Sequence, residues 1–295
     1  MVEKSKGAEI IAMNQFQSGI ARIKTSYSSL PPSEKKVADY ILENTEKTIY
    51  LSVSELSNQA EVSDSTIIRF CKNIGFKGYQ ELKLFLAQDL VTPIENINED
   101  IQLDDQLDTI IQKIAHSNKM AIEETVGTID LEQLEKAVTI LLSAERILFF
   151  GVGASGVTAH DAKYKFMRIG KTVDCYRDAH LQAMSASTLS NNDAVVGISH
   201  SGSTKDVVDS CRIASDAGAK VICITGHTRS PITQIADIKL ITATREKPLS
   251  SGALRSKIAQ LHTLDMLFSG VAIKQHKKTM DYTEKTAKSV LDKLY

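Results

Sequence analysis

The chain has 295 residues, 42% of them hydrophobic and 24% charged, and a formal net charge of -1. Such a chain can bury a sizeable core, but its charge gives no global attraction to nucleic acid or membrane, so any nucleic-acid binding must come from a local patch. Its four cysteines (Cys71, Cys175, Cys211 and Cys223) show no CxxC spacing, which argues against a zinc site or a disulfide framework and favours a reduced cytosol.

The N-terminal sequence carries no secretion signal. Its first twenty residues lack the long apolar core of a signal peptide, and no apolar run in the chain approaches the ~20 residues that span a bilayer. We therefore expect a soluble, cytoplasmic protein with no membrane partner.

Residues 15–90 show the spacing of short helices and are predicted to form an all-α domain. In "LPPSEKKVADYILEN" two prolines, Ser33 and Glu34 precede apolar residues at helical spacing, which predicts a helix start. "VSELSNQAEVSDSTIIRFCKNIGF" then has the pattern of a helix-turn-helix unit: a first helix from Ser54 to Ala60, a turn at "EVS", and a second helix capped by Ser63 or Asp64.

The second helix of this unit leaves polar and basic side chains on its outward side. Short hydroxyls at its N-terminus, Ser65 and Thr66, can approach bases or phosphates, and Arg69 can grip guanine or phosphate with two hydrogen bonds. The predicted DNA-binding residues are Ser63, Asp64, Ser65, Thr66, Arg69, Lys72, Lys77 and Lys83, the three lysines as phosphate contacts. A helical hairpin used only for dimerisation fits the same pattern.

The run "VSDSTIIRFCKNIGFKGYQELK" resembles the DNA-binding head of RpiR/MurR-type bacterial transcription regulators, and "LPPSEKKVADYIL" resembles the first core helix of that head. The resemblance covers about residues 15 to 90. It implies binding to double-stranded operator DNA.

Residues 91–108 contain a proline and six acids, which predicts a solvated linker, although an acidic start to the next helix is compatible with the same letters. Residues 109–275 are predicted as the second domain and 276–295 as a C-terminal helical tail.

From residue 147 short apolar runs alternate with helical segments. The runs "ILFFGVG", "TVDCYR", "AVVGIS", "KVICITG" and "IKLITA" suit strands buried on both faces. The alternation predicts an α/β domain with a five-stranded parallel sheet flanked by helices.

Two strand-to-helix loops in this domain can hold an anion. "GVGASG" (151–156) has the glycine spacing of a dinucleotide site, with Asp174 or Asp178 as a ribose ligand, but a lone GxGxxG is a weak signal. "ISHSGST" (198–204) surrounds Gly202 with hydroxyls, and these and the N–H groups of a helix start can hold a phosphate without arginine. A serine-rich turn capped by Thr204 is the purely structural alternative.

"SHSGST" is similar to the Ser-x-Ser-Gly-x-Thr loop of SIS (sugar isomerase) domains, and the resemblance covers about residues 130 to 275. An RpiR-like head followed by a SIS domain is the architecture of the RpiR/MurR family. The resemblance implies a sugar-phosphate site formed by Ser155, His180, Ser199, His200, Ser201, Gly202, Ser203, Thr204, Ser250, Ser251 and Arg255. For His180 a solvated or capped helix start is an equal alternative.

Three functions remain open from the sequence. SIS isomerases of the aminotransferring type carry a glutamate just after the lysine of "GALRSK", where this chain has Ile258, which cannot abstract a proton. We therefore expect a non-enzymatic regulator of carbohydrate metabolism, a homodimer or homotetramer, whose phosphorylated sugar effector modulates operator binding. The alternatives are a sugar-phosphate isomerase or lyase with an accessory helical domain and, last, a nucleotide-dependent oxidoreductase. No cofactor and no metal are predicted.

Overall fold

A computed structural model describes residues 18–90, 101–102, 104–243 and 253–293. Two compact units are separated between Lys113 and Ile114, within one long helix. The first unit is helical and the second is an α/β domain.

The N-terminal unit is built from short helices around one apolar core. They are α1 (Gly19–Ser26), α2 (Pro32–Glu43), α3 (Thr45–Thr48), α4 (Val53–Gln59), α5 (Asp64–Asn73) and α6 (Tyr79–Leu90), and a 3-10 turn spans Tyr27–Ser29. Pro32 occupies the first position of α2, where a missing N–H costs no hydrogen bond. Apolar side chains from all of these helices except α3 are buried together in the core.

Polar contacts fix the arrangement of these helices. The buried carboxylate of Glu34 on α2 accepts two hydrogen bonds from the Asn73 amide at the end of α5, at 2.9 and 3.1 Å. The Tyr79 hydroxyl on α6 donates to the Thr48 carbonyl at 2.9 Å. The donor and the acceptor of each bond lie on different helices. The bonds therefore fix the relative orientation of these helices around a core that is otherwise apolar.

The helix that crosses the division is α7 (Leu107–Thr128), and α8 (Leu131–Ser143) follows it. Of the linker predicted at 91–108, the structure describes 101–102 and 104–108, and its last two residues belong to α7, which begins at Leu107. Asp130 caps α8 by accepting from the backbone N–H groups of Glu132 and Gln133.

The α/β unit alternates strand and helix as predicted. Its strands are β1 (Arg146–Phe150), β2 (Thr172–Tyr176), β3 (Ala194–Ile198), β4 (Lys220–Thr225) and β5 (Ile238–Ile241). Its helices are α9 (Gly153–Arg168), α10 (Ala179–Ala186), α11 (Lys205–Asp216), α12 (Leu254–Lys274) and α13 (His276–Lys288), with 3-10 turns at Ile232–Gln234 and Leu291–Lys293. All strands pair in parallel, in the order β2-β1-β3-β4-β5, which confirms the predicted five-stranded parallel sheet.

Helices cover both faces of the sheet. On one face α8, α9 and α12 pack against Ile147, Phe149 and Val196; on the other, α10 and α11 pack against Phe150 and Val195. Because both faces are covered, β3 is buried along its whole length, which explains its unalternated apolar sequence.

Candidate functional site

The helix-turn-helix unit is formed by α4 and α5. Ser52 and Glu55 form a capping box at the start of α4, and Glu61 takes a left-handed conformation (φ +52°) in the turn. Ser63 caps α5 by accepting from the Thr66 N–H, so the cap is Ser63 and not Asp64. Tight capping on both sides of the turn fixes the crossing of the two helices.

Asp64 joins the two helices. Its carboxylate accepts hydrogen bonds from the hydroxyls of Ser54 and Ser57 on α4. A carboxylate held in this way at a helix N-terminus stabilises the unit, since it also meets the positive end of the helix dipole. The structure therefore gives Asp64, which was predicted as a DNA-binding residue, a role in joining the two helices of the unit.

The outward side of α5 presents most of the remaining predicted DNA-binding side chains. Ser63, Ser65, Arg69 and Lys72 are exposed there, and Lys77 is exposed beyond the end of the helix. Thr66 departs from the prediction because it is buried, and its hydroxyl lies 2.9 Å from that of Ser63 and accepts from the Arg69 guanidinium at 3.3 Å. Through this hydrogen bond Thr66 orients the Arg69 guanidinium.

Lys83 corrects the sequence prediction of a phosphate contact. Its side chain on α6 is only 5% exposed, and its ammonium group donates to the Leu51 carbonyl at 3.0 Å and lies 5.4 Å from the Tyr79 ring centroid. Burial lowers the pKa of Lys83 to about 8, against the opposing charge of Glu55. An ammonium group held inside the core cannot reach a DNA backbone.

In the α/β unit the chain leaves two neighbouring strands toward opposite faces. Phe150 at the end of β1 pairs with Gly197 near the end of β3, so the loops that follow these strands begin side by side. The loop after β1 leads to α9 on one face, and the loop after β3 leads to α11 on the other. Such a switch point opens a crevice at the carboxyl ends of the strands, where parallel α/β sheets bind ligands.

After β1 the chain turns at residues 151–152 and enters α9 at Gly153, so the predicted loop 151–156 is mostly the first turn of that helix. A Cβ on Gly151 would lie 2.6 Å from the Ser155 carbonyl oxygen, so no larger residue fits. The buried Gln182 amide donates to the carbonyls of Gly151 and Tyr176, at 3.2 and 2.7 Å, and fixes the loop from α10. Since α9 begins directly after the carboxyl end of β1, an anion in the crevice would meet the positive end of this helix.

Both acids considered as ribose ligands have other partners. Burial opposes the shift, yet hydrogen bonds from Lys163 and Tyr176 lower the pKa of Asp174 below its ordinary value. Asp178 accepts from the Leu181 N–H as the cap of α10. The glycine spacing of the first loop is thus not accompanied by a free ribose ligand, and the dinucleotide interpretation loses its support.

The second loop brings its predicted residues together. The buried Ser199 hydroxyl lies 3.0 Å from that of Thr204, and Ser201 Oγ accepts from the Ser203 N–H at 3.3 Å. Gly202 has φ +61°, the left-handed region that favours glycine. The hydroxyls of Ser201, Ser203 and Thr204 are part-exposed around the N-terminus of α11.

His200 anchors this loop to the neighbouring strand. Its carbonyl accepts from the Gly226 N–H at 2.9 Å and from the Thr225 hydroxyl at 3.2 Å. A Cβ at position 226 would lie 2.6 Å from the His200 ring, so glycine at that position makes room for the imidazole. The rings of His200 and His227 lie 5.9 Å apart between centroids.

Ser155 is connected to a residue that the sequence did not indicate. The Ser155 hydroxyl accepts a hydrogen bond of 3.0 Å from the Gln260 amide on α12, and the Gln260 carbonyl oxygen accepts from the Thr158 hydroxyl at 3.2 Å. Gln260 is buried among Ala259, Thr263 and Leu264 on the core side of its helix. A glutamine on the buried side of a helix, next to Ala259 and Leu264, is the signal that marks it in the sequence.

The remaining predicted ligand residues are dispersed. His180 is exposed in the first turn of α10, behind the Asp178 cap. Arg255 lies in the first turn of α12, and its guanidinium is 3.5 Å from the Glu124 carboxylate on α7. Ser250 and Ser251 lie outside the described residues. Within the described part of the chain, no group of three or more His, Cys, Asp or Glu side chains could hold a metal ion.

Together these features define a class of protein. The N-terminal unit has the geometry of a helix-turn-helix DNA-binding head, and the second unit offers two helix N-termini and a hydroxyl-lined loop to an anionic ligand. None of the described helices is long and apolar enough to cross a membrane.

Comparison with known families agrees with this class. Residues 17–93 match the family described as the helix-turn-helix domain of the rpiR family, and residues 140–270 match the SIS domain. An uncharacterized HTH-type transcriptional regulator of Caldanaerobacter subterraneus subsp. tengcongensis is 43% identical over 268 residues, which cover 91% of this chain and 95% of the relative. YbbH of Bacillus subtilis, named in the same way, is 38% identical over 92% of this chain and 96% of its own. The chain belongs to the rpiR family of helix-turn-helix transcriptional regulators with a SIS domain.

A solved structure extends the similarity over both units. The Vibrio vulnificus NanR protein, complexed with ManNAc-6P, is 30% identical, covers 94% of this chain and 99% of its own, and gives a TM-score of 0.82. The predicted fold and the predicted family are thereby confirmed. The protein is a transcriptional regulator.

Proposed function

We propose that the SIS domain binds a phosphorylated sugar and that this effector modulates binding of the helix-turn-helix head to operator DNA. The observation that carries the proposal is the loop Ser199–Thr204, whose part-exposed hydroxyls surround the N-terminus of α11 beside the start of α9. A phosphate is bound by N–H groups and hydroxyls in such a place. The complex of NanR with ManNAc-6P, in a relative of the same architecture, supports the same ligand class.

The residues of the loop divide into ligands and supports. Ser201, Ser203 and Thr204 offer part-exposed hydroxyls to the phosphate, with the backbone N–H groups from His200 to Thr204. Ser199 is buried, and its hydroxyl forms a hydrogen bond with that of Thr204, which holds the Thr204 side chain in place. Ser155, on the other side of the crevice, is assigned to the sugar.

The DNA-binding surface is proposed on α5 and the turn after it. We assign the exposed side chains of Ser65 and Arg69 to base contacts. The exposed Ser63, Lys72 and Lys77 are assigned to phosphate contacts. Two such heads in a homodimer or homotetramer match a palindromic operator, because a two-fold protein presents its reading helices with two-fold symmetry. A cytoplasmic location follows from this function.

We assign the SIS domain a sensing role without catalysis. Isomerisation needs a base beside the proton that moves, and position 258, where related isomerases carry glutamate, is an isoleucine. Among the described residues, the carboxylate of Glu124 lies near the start of α12, where it is paired with Arg255. The alternative of a sugar-phosphate isomerase is tested by turnover of hexose phosphates, since detectable aldose–ketose conversion would overturn the sensing assignment.

The decisive experiment measures both binding events on the full chain. Calorimetric titration with N-acetylmannosamine 6-phosphate, glucose 6-phosphate and their unphosphorylated sugars tests the effector site; we expect binding that requires the phosphate. Fluorescence anisotropy with DNA from upstream of the protein's own gene, with and without the phosphosugar, tests the regulation. Equal anisotropy curves in the presence and absence of a bound sugar phosphate would contradict it.

A further inference from the structure

Gln260 is placed to control the direction in which the Ser155 hydroxyl points. A serine hydroxyl has one proton to donate and two lone pairs that accept. The Gln260 amide occupies one lone pair of Ser155 with a hydrogen bond of 3.0 Å. The Ser155 proton is then left for another acceptor, and Ser155 lies part-exposed in the first turn of α9, beside the crevice.

The orientation of the Gln260 amide is itself fixed by Thr158. The Thr158 hydroxyl lies one turn after Ala154, is fully buried, and donates to Gln260 Oε1 at 3.2 Å. Its other acceptor, the Ala154 carbonyl, is farther away at 3.4 Å. With Oε1 directed at Thr158, the amide nitrogen is directed at Ser155, so the three side chains form one ordered chain of donors and acceptors.

Burial makes this order firm. Gln260 is 2% exposed on α12, and a buried amide that loses a partner pays the cost of desolvation. Water therefore does not compete for either end of the amide. These hydrogen bonds link the packed interface between α9 and α12, at Thr158 and Gln260, to the Ser155 hydroxyl at the edge of the ligand crevice.

We infer that Gln260 is a positioning residue for the effector: through Ser155 it presents a hydroxyl donor to an oxygen acceptor of the sugar phosphate. This inference rests on the proposed function of the SIS domain and adds to it a residue outside the ligand-lining loops. It also predicts which ligands the site prefers: a ligand with an acceptor oxygen near Ser155 should bind more tightly than one that has only a donor there.

A double-mutant cycle tests the inference on the full-length protein. Ser155→Ala, Gln260→Met and the double variant are titrated with N-acetylmannosamine 6-phosphate, and the unfolding free energy of each is measured separately. We expect Gln260→Met to weaken binding about five-fold, the equivalent of one hydrogen bond of ~1 kcal/mol, but to have no further effect once Ser155 is alanine. An equal loss in both backgrounds would overturn the inference, because Gln260 would then act through the general packing of α12.

Two further variants keep the test decisive. Thr263→Val removes another buried hydroxyl of α12, one that donates to the Ala259 carbonyl, and is expected to alter stability without altering affinity. If Gln260→Met does not fold, Thr158→Val replaces it in the cycle, since loss of the Thr158 donor releases the amide. Absence of wild-type binding to every phosphosugar of the panel would overturn the proposed function, whereas binding with an additive cycle would overturn only the role of Gln260.

Discussion

A Cβ on Gly202 would lie 2.1 Å from the hydroxyl oxygen of Ser230 and 2.5 Å from its Cβ. Ser230 is completely buried, so it cannot move aside into solvent. The left-handed backbone of Gly202 and its contact with Ser230 together fix the bend of the loop Ser199–Thr204.

Gly202→Ala is therefore expected to destabilise the SIS domain and to abolish sugar-phosphate binding. The left-handed backbone costs alanine about 1–2 kcal/mol, and the overlap with Ser230 adds roughly 1–3 kcal/mol. Gly153→Ala is the matched control, because Gly153 has φ +57° but nothing within 4 Å of its missing Cβ. Thermal unfolding should show a clearly larger loss for position 202, and equal losses would contradict the steric part of this account.

Ser201→Ala is expected to weaken sugar-phosphate binding about five-fold or more while leaving the affinity for DNA alone intact. The Ser201 hydroxyl is part-exposed at the start of α11, and its intraloop bond to the Ser203 N–H is long, at 3.3 Å. Calorimetry with the phosphosugar measures the first effect and anisotropy with operator DNA the second. Unchanged phosphosugar affinity would remove Ser201 from the site.

Arg69→Ala is expected to lower operator affinity at least ten-fold, with the phosphosugar titration unchanged. Arg69 is exposed on α5 and is steadied by Thr66 at 3.3 Å, so its truncation removes a charge-assisted contact to a base or phosphate. The comparison is Lys83→Met, which removes a cation that the structure buries. Anisotropy titrations at several salt concentrations should show a lower operator affinity than wild type for Arg69→Ala but not for Lys83→Met. Equal losses of operator affinity in both variants would contradict the placement of the DNA-binding surface.

Lys83 predicts an unusual pH dependence of stability. Its pKa is about 8 in the folded protein and 10.5 in the unfolded chain, so above pH 8 the unfolded state holds the extra proton. Stability therefore rises between pH 8 and 10.5, by up to roughly 3 kcal/mol at ~1.4 kcal/mol per pH unit. Burial raises the pKa of its neighbour Tyr79 well above the ordinary value of 10.0, so Tyr79 lowers stability as the pH rises through 10, where the unfolded chain releases this proton.

The measurement is urea unfolding of the N-terminal unit in the full chain at pH 7.5 and pH 10. Other groups titrate over the same range, so the prediction concerns the difference between wild type and Lys83→Met. In the variant the Leu51 carbonyl can still share the single proton of the Tyr79 hydroxyl, which lies 3.2 Å from it and 2.9 Å from the Thr48 carbonyl. Identical pH slopes in the two proteins would show that the pKa of Lys83 is not lowered in the folded state.

Most of the fold could be predicted from the sequence, because the periodicity of apolar residues and the residues that begin and end helices are local features. The strands β2 to β5 lie within the apolar runs that predicted them, β1 begins one residue before its run, at Arg146, and Ser63 caps α5 as its place before "DSTIIRF" indicated. The depth of a side chain is not local. Lys83 has the spacing of a surface residue, yet its ammonium group is buried and donates to the carbonyl of Leu51, which lies 32 residues earlier in the chain.

The candidate site divides in the same way. The second loop was predictable because its residues follow a strand and open a helix within a few positions. Gln182 and Gln260 were not predicted, since each acts on a loop far from it in sequence, at Gly151 and Ser155. Only the folded sheet brings these amides to the crevice.

The loop Ser199–Thr204 contains no lysine, arginine, aspartate or glutamate, and the neighbouring Lys205 is paired with Asp209. A dianion held by neutral donors displaces few counterions, whereas a head that reaches DNA through Arg69, Lys72 and Lys77 displaces one for nearly every phosphate it neutralises. On the proposed function, the two binding events thus respond differently to ionic strength: operator affinity falls steeply as salt rises, while effector affinity changes little. Under osmotic stress the regulator would therefore bind operator DNA more weakly, while its affinity for the sugar phosphate would stay nearly constant.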